Sequence, residues 1–432
     1  MKNSKLFQYI FIGAFVFFII VGAILFSTYK SEDKTVTNIS ITMWGILPSD
    51  SFTSFFSRYF SENEIKYNID YVERDSATFD RDLVEALASG VGPDAIILPE
   101  DLIVRYANKI YPIPYTTLPE ITFKQTFVQE GELYLNNSGV LALPFTIDPL
   151  VMYWNRDTFN NNSITKPPAT WSEILALVSK MTKRDQMNNI LSSTVALGEF
   201  RNILNAKEIL SALMIQAGNP IVSIDVDGVY GSTLKNSYAN NDSPAALALQ
   251  FYTNFSNPSK STYSWNRSMI DSRSAFANGD LAMYFGFASE YMTIKNKNPN
   301  LNFDVALLPQ AAGAKIYSTF GNMLGFAIMK NSANPAGTYT VLSSLVSTQA
   351  YPYWTNIFNL PSARRDILSQ VDNSAVKTVF NKSAIMSKGW LDPNGAATNA
   401  VFQEMIELYT TGRDSLEGVI STASDRLDNL LK

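Results

Sequence analysis

Segments typical of strands and of helices alternate along the chain after Asn38, and this order restricts the fold more than any other feature. Ile39 to Trp44 is strand-like, and aromatic residues at the spacing of one helix face follow it. Tyr67, Ile69 and Tyr71 alternate with polar residues, as in a half-buried strand. The alternation predicts an α/β fold.

The same order continues for one more unit and then changes. Phe79 to Ser89 has the pattern of a helix that ends at Gly90, and Ala95 to Leu98 is typical of a buried strand. Near Pro144 two apolar, strand-like runs flank a segment that ends at Pro149. We interpret this segment as a crossover between two lobes, because 432 residues with 46% hydrophobic content suffice for about two cores.

Composition removes several classes of function. The net charge of -5 comes with no basic block, which argues against a nucleic-acid partner. The chain has neither cysteine nor histidine, so thiol nucleophiles, Cys/His zinc sites and Ser-His-Asp triads are excluded. Only carboxylates remain for acid-base chemistry, and we expect no metal and no cofactor.

The N-terminus carries an apolar segment of the length that spans a bilayer. Lys2 and Lys5 precede a stretch from Ile10 to Phe26 that contains no polar side chain. This is longer than the core of a signal peptide, and no clear cleavage site follows it. We expect residues 1–30 to form a transmembrane anchor or uncleaved signal and 31–37 a linker, with the remainder outside the cytoplasm.

Five motifs occur in the order found in one family. They are Ile41-Thr42-Met43-Trp44-Gly45, the run from Gly92 to Leu98, the run from Leu143 to Asp157, the run from Phe276 to Met283, and the return at Val305 to Pro309. Together they resemble the extracellular solute-binding proteins of ABC importers, family 1, which includes the maltose-binding protein. The resemblance extends over nearly all of the chain after Asn38, although the lipid-bearing cysteine of many relatives is missing.

The resemblance implies a two-lobed periplasmic-binding-protein fold with mixed sheets and a cleft. It places lobe one at 38–146 plus 301–332 and lobe two at 147–300 plus 333–432. It implies a non-enzymatic receptor that closes on a small ligand, a sugar or oligosaccharide, and delivers it to the membrane permease of an ABC-type importer. The N-terminal helix would hold this receptor at the cell membrane.

Ligands of open α/β sheets bind beyond the carboxyl ends of strands, which directs attention to the turns there. A sugar needs aromatic surfaces and hydroxyl acceptors in one cleft. By family position, Asp101 and Asp148 match acidic ligand contacts. The candidate ligand-binding residues are Trp44, Gly45, Glu100, Asp101, Asp148, Phe287, Tyr291, Asn322 and Trp354. Trp44, Tyr291 and Trp354 are the candidate stacking surfaces.

Three other functions stay open at this point. A cationic amine or peptide would use Glu100, Asp101 and Asp148 as counter-charges. A glycoside hydrolase would use two of the carboxylates as acid and base. An adhesion or signalling module would use the same two lobes without an importer.

Overall fold

The computed structural model describes residues 39–237 and 243–432. The expected anchor at 1–30 and the linker at 31–37 lie outside these ranges. Among the residues that are described, every helix is too short or too polar to cross a bilayer.

The first part of the chain confirms the strand and helix predictions. The first strand is Ile39–Gly45, the second Tyr67–Glu73 and the third Ala95–Pro99. The helix between the first two, Ser49–Glu62, buries its aromatic stripe in the core of the lobe. In chain order the elements here are β1 (Ile39–Gly45), α1 (Ser49–Glu62), β2 (Tyr67–Glu73), α2 (Phe79–Ala88), β3 (Ala95–Pro99), a 3-10 helix (Glu100–Leu102), α3 (Ile103–Tyr106), α4 (Glu120–Thr126), a 3-10 helix (Gln129–Tyr134), β4 (Leu135–Asn136) and β5 (Gly139–Val140).

A single long strand, β6 (Leu143–Asn155), occupies the place of the expected crossover. The sequence suggested two runs separated by a prolyl segment, but Pro144 and Pro149 both lie within one strand. Proline lacks the N–H that a strand donates, and the partner strand shows an irregular register at Leu324 and Gly325, close to Pro144. The strand therefore continues through both prolines.

The chain after β6 builds mostly the second half of the molecule. Several of its helices begin at side-chain caps such as Thr170, which forms a capping box with Glu173. In chain order the elements are α5 (Arg156–Asn161), α6 (Trp171–Met181), β7 (Lys183–Arg184), β8 (Ile190–Val195), α7 (Ala206–Gln216), β9 (Val222–Ile224), β10 (Tyr230–Ser232), α8 (Pro244–Thr253), a 3-10 helix (Asn254–Ser256), α9 (Ser272–Asn278), β11 (Leu281–Phe287), α10 (Glu290–Lys297), β12 (Phe303–Ala306), β13 (Gly321–Ile328), α11 (Pro335–Leu345), α12 (Tyr351–Phe358), α13 (Arg365–Leu368), α14 (Ala375–Met386), α15 (Gly395–Thr410) and α16 (Leu416–Leu430).

One mixed sheet runs through both halves in the order β2-β1-β3-β13-β6-β11-β8-β7, and β12 also pairs with β6. β1 is parallel to β2 and β3, whereas β13 is antiparallel to β3 and β6. β6 pairs with β13 through its first half and with β11 and β12 through its second half. The mixed sheet confirms the α/β prediction, and β6 joins its two parts.

The structure has two large hydrophobic cores, one in each lobe. The segments that pack in each core differ from the lobe boundaries predicted from the sequence. Val305, Leu308 and Phe320 pack in the second core, although 301–332 was assigned to lobe one. The segment from Val341 to Ala363 packs in the first core, although it was assigned to lobe two. We therefore define lobe one as 39–147 plus 321–363, and lobe two as the other described residues.

Candidate functional site

A cleft of about 630 Å³ lies between the two lobes. Lobe one contributes the ends of β1 and β3, the turn after β2 and the start of β13. Lobe two contributes the start of α7 and the segment that leads into α15. Polar and aromatic side chains line the cleft, including Phe79, Glu100, Asp101, Lys207, Glu208, Phe320, Asn322, Trp390, Asp392 and Asn394.

The lobe-one wall follows from the direction of its strands. β1, β2 and β3 are parallel, so their carboxyl ends meet at one edge of the sheet. Ile46, Ser76 and Glu100 follow these three strands and all line the cleft. Asn322 reaches the same edge because β13 is antiparallel to β3 and begins there.

Glu100 lies beside a second buried carboxyl, that of Glu130. Only 6% of Glu100 and 2% of Glu130 is exposed. Oε2 of Glu100 accepts a hydrogen bond from the backbone N–H of Met323 at 3.1 Å. No N–H or hydroxyl of the described residues donates to Glu130, and a hydrogen bond between the two carboxyls requires a proton on one of them. Burial, and then the neighbouring Glu130, raise the pKa of Glu100, and burial raises the pKa of Glu130 to about 7.

The lobe-two wall contains a buried ion pair. Nζ of Lys207 lies 3.0 Å from Oδ2 of Asp392. Asp392 also accepts hydrogen bonds from the Thr398 hydroxyl and from the N–H of Asn394. Burial opposes the charge of Lys207, but Asp392 and Glu208 outweigh it and raise the pKa of Lys207. Each partner of the pair is therefore compensated within the lobe.

Asp101 contacts lobe two across the cleft. A Cβ on Gly395, the first residue of α15, would overlap Oδ2 of Asp101. The carboxylate therefore lies at the N-terminus of a 16-residue helix, where the helix dipole favours negative charge. Burial, and then Asp392, raise the pKa of Asp101, while Lys207 lowers it.

Three of the nine predicted residues, Glu100, Asp101 and Asn322, line the cleft. Trp44 does not: only 7% of it is exposed, and the guanidinium of Arg74 lies 3.7 Å from the centre of its ring. Position 45 has no room for a side chain, since a Cβ on Gly45 would lie 2.7 Å from the Tyr71 hydroxyl. The strand that carries Trp44 turns its ring into the lobe and not toward the cleft.

Trp354 was wrongly predicted to be a stacking surface, because it is a core residue of lobe one. It is 1% exposed, its ring stacks on Phe55 at 3.5 Å between centres, and its Nε1 donates to the carbonyl of Leu345. The Phe287 and Tyr291 rings lie in the lobe-two core and not on the cleft wall. Phe287 packs near Phe320, and Tyr291 packs against Phe303 and Phe380.

Asp148 lies in β6 at the junction of the lobes. It is opposite Asn322 in β13, and its Oδ1 accepts a hydrogen bond from the N–H of Ser289 at 3.0 Å. Burial raises the pKa of Asp148 to about 7, although the hydrogen bonds from Ser289 lower it. Asp148 therefore contacts residues of both lobes, but it does not line the cleft.

Sequence reasoning missed the lobe-two wall and part of the aromatic surface. Lys207 and Asp392 are 185 residues apart in the chain, and no local pattern connects them. The run Trp390-Leu391-Asp392-Pro393-Asn394-Gly395 did offer a signal, because turn residues and a helix cap follow a tryptophan there.

The family of bacterial extracellular solute-binding proteins matches residues 57–378 of this chain. That match covers most of the chain, and the chain belongs to this family. It is a family of binding proteins and not of enzymes, so the hydrolase alternative no longer applies. The assignment confirms the predicted family and its location outside the cytoplasm.

Curated relatives of nearly equal length are distant in sequence. A protein of Brucella abortus (strain 2308) named as a binding protein is 22% identical over 439 residues, which cover 96% of this chain and 98% of the relative. A protein of Brucella suis biovar 1 with the same kind of name matches to the same extent.

Solved structures share the fold at low identity. The sugar-binding protein MalE of Xanthomonas citri has a TM-score of 0.73 and 16% identity, with 91% of this chain and 97% of that chain covered. A cyclo/maltodextrin-binding protein complexed with maltotetraose has a TM-score of 0.70 at 15% identity, with coverage of 93% and 98%. An ABC transporter solute-binding protein of Thermotoga lettingae bound with α-D-tagatose has a TM-score of 0.65 at 18%, with coverage of 91% and 100%.

Proposed function

We propose that this protein is a receptor that closes its two lobes on a sugar or oligosaccharide and delivers it to an ABC-type importer. The observation that carries the proposal is the interlobe cleft of about 630 Å³ in a member of a solute-binding family. This volume lies within the usual range for small-molecule sites. The names of the three structural neighbours, which refer to sugars or to ABC transport, point the same way.

The chemistry of the cleft suits a hydroxylated ring. The rings of Phe79, Phe320 and Trp390 are mostly buried in the cores, but all three line the cleft, and the apolar parts that border it suit the C–H faces of a sugar. Glu100 and Asp101 accept hydrogen bonds from hydroxyls, while Asn322 can both donate and accept. A ligand that contacts both walls stabilises the state in which the lobes approach, and so favours closure.

The proposal is tested by adding monosaccharides and maltodextrins to the protein and measuring its melting temperature and its radius of gyration. A bound sugar raises the melting temperature by mass action and, on closure, reduces the radius. A panel in which no saccharide changes either quantity would count against a sugar receptor.

We further propose that the stretch from Ile10 to Phe26 anchors the receptor in the cell membrane, and this rests on the sequence alone. Full-length protein should stay with membranes after a salt wash, whereas a chain that begins at Glu32 should be released. Detection of a mature N-terminus between Ala23 and Ser31 would replace the anchor with a cleaved signal.

A further inference from the structure

The side chains that line the cleft include more acidic than basic groups. Five carboxylates line it, those of Asp80, Glu100, Asp101, Glu208 and Asp392, against the single ammonium of Lys207. Asp80 is paired on the surface with Arg105 at 2.8 Å, and Lys207 is already engaged by Asp392. Even after these two pairs are set aside, the acidic groups of the cleft lack a matching cation.

Among these acidic groups, Glu100 and its neighbour Glu130 have the least compensation by positive charge. They come from the two 3-10 helices of lobe one and are both more than nine-tenths buried. Within the described ranges, no lysine or arginine forms an ion pair with either carboxyl, and the only hydrogen bond open to Glu130 is one with Glu100, which requires a proton on one of the two. A Cβ on Gly321 would overlap Oε2 of Glu130, and the residues on either side of Gly321 line the cleft.

Lobe two packs a residue without a side chain against Glu100, which still lines the cleft. This residue is Gly389, where a Cβ would lie only 3.0 Å from Oε1 and 3.1 Å from Oε2 of Glu100. Any side chain at this position would press on the carboxyl. Glu100 therefore borders the cavity on one side and Glu130 on the other.

Two adjoining buried carboxyls need a positive charge, and either a proton or a cation can supply it. A neutral hydroxyl donates a hydrogen bond but leaves the net charge unchanged. We infer that Glu100, supported by Glu130, binds a protonated amine of the ligand, so that the preferred ligand is a basic saccharide, that is, a sugar with an ammonium group. This inference rests on the proposed function and adds the charge of the ligand.

The proton is the competitor of that ammonium group. Because burial raises the pKa of both Glu100 and Glu130, the free pair holds a proton near neutral pH, and a bound ammonium displaces it. The affinity for an amine should then rise as the pH rises toward 7, while the amine itself stays charged. Asp101 and Tyr134 are the other titratable groups that act on the pair.

The inference is tested by titration calorimetry of the full chain with glucosamine, glucose and N-acetylglucosamine, and with the matching galactose series. The ammonium sugar should bind about tenfold more tightly than both neutral analogues, as expected for a charge-assisted hydrogen bond in a buried site. Binding of the ammonium sugar should also release a proton from the carboxyl pair. The measured binding enthalpy should then depend on the ionisation enthalpy of the buffer. Putrescine serves as an amine without a sugar ring.

Variants locate the preference within the cleft. Glu130→Gln and Glu100→Gln should each abolish the preference for the amine, and thermal unfolding of each establishes that it is folded. Glu132→Gln is the matched control, because Glu132 follows Glu130 by two residues and lies half-exposed next to Lys124. It should keep the preference.

The outcomes separate the two levels of the proposal. Equal binding of neutral and amine sugars overturns the inference and leaves the sugar receptor intact. Binding of putrescine but of no sugar supports the cation site and overturns the sugar receptor. Binding of none of these compounds overturns both, and a preference that survives both glutamine substitutions overturns the assignment to Glu100 and Glu130.

Discussion

The two walls of the cleft treat buried charge in opposite ways. In lobe two, Lys207 and Asp392 neutralise one another at 3.0 Å, with Thr398 and Asn394 completing the hydrogen bonds. In lobe one, Glu100 and Glu130 lie together, and no lysine or arginine in the described part of the chain forms an ion pair with either. The first arrangement is complete without a ligand, whereas the second is completed only by a proton or by a positively charged group. We therefore expect lobe two to supply stability and lobe one to supply selectivity.

The largest expected effect comes from breaking the complete pair. Lys207→Met leaves Asp392 buried without its cation, and this should reduce the free energy of unfolding by about 3 to 5 kcal/mol. Urea denaturation followed by tryptophan fluorescence measures it. The double variant Lys207→Met with Asp392→Leu removes both charges and should recover most of the loss. A single variant as stable as the wild type would show that the pair is not what stabilises this wall.

The incomplete pair should appear in the dependence of stability on pH. The folded-state pKa of Glu130 is raised from 4.5 to about 7, so the stabilisation is present below 4.5 and is lost as the pH rises to about 7. The stability lost per proton is at most about 1.4 kcal/mol per pH unit, so a pKa raised from 4.5 to about 7 corresponds to at most about 3.4 kcal/mol.

Glu130→Gln should flatten this decline, and Glu132→Gln should not. Urea denaturation at pH 5, 6, 7 and 8 compares the three proteins. If the free energy of unfolding of wild type and of Glu130→Gln changes in parallel with pH, another group must compensate the two carboxyls. The proposed difference between the two walls of the cleft would then be wrong.

A smaller effect should follow from obstructing the contact between the walls. Gly395→Ala places a Cβ against the carboxylate of Asp101 and should weaken binding of the tightest sugar about fivefold, or about 1 kcal/mol, because the lobes then approach less closely. Gly231→Ala is the control, since a Cβ there meets nothing within 4 Å. Calorimetry gives the affinity, and scattering gives the compaction. If both variants bind alike, the contact has no part in closure.

The smallest effect should come from the charge of Asp101 itself. Asp101→Asn keeps the shape but removes a negative charge from the N-terminus of α15, which is worth about 0.3 to 1 kcal/mol. Affinity should fall by about two- to fivefold at low salt. A loss that is the same at high and at low salt would assign the effect to shape and not to charge.

Sequence patterns predicted lobe one well where a few neighbouring residues determine the structure. The bounds of β1, β2, α2 and β3 follow from local periodicity, and the turn at Glu100 and Asp101 follows from strand direction. The division of the chain between the lobes did not follow, because β6 continues through Pro149 and the segment from Val341 to Ala363 returns to the first core. Such pairings depend on contacts between distant parts of the chain.

The candidate site shows the same limit. Carboxylates at strand ends could be predicted, but the direction of an aromatic ring could not. Trp44 and Trp354 both have neighbours that suit either a core or a cleft, and only the packing of Arg74 and Phe55 against them decides. The lobe-two wall brings together the start of α7 and the segment before α15. Hydrophobic periodicity predicts local helices and strands, but it does not predict which of them meet in space.

The path of the chain through β6 and β13 also determines the order in which the molecule can fold. β13 lies between β3 and β6, and the N–H of Met323 meets Glu100 across 223 residues of intervening chain. The first core therefore stays incomplete until more than two thirds of the chain has been synthesised, and the second core waits for α15 and α16. Pairings between such distant segments form slowly. A nascent chain that ends before β13 lacks both complete cores, and we expect it to be threaded through a narrow channel more readily than the folded protein.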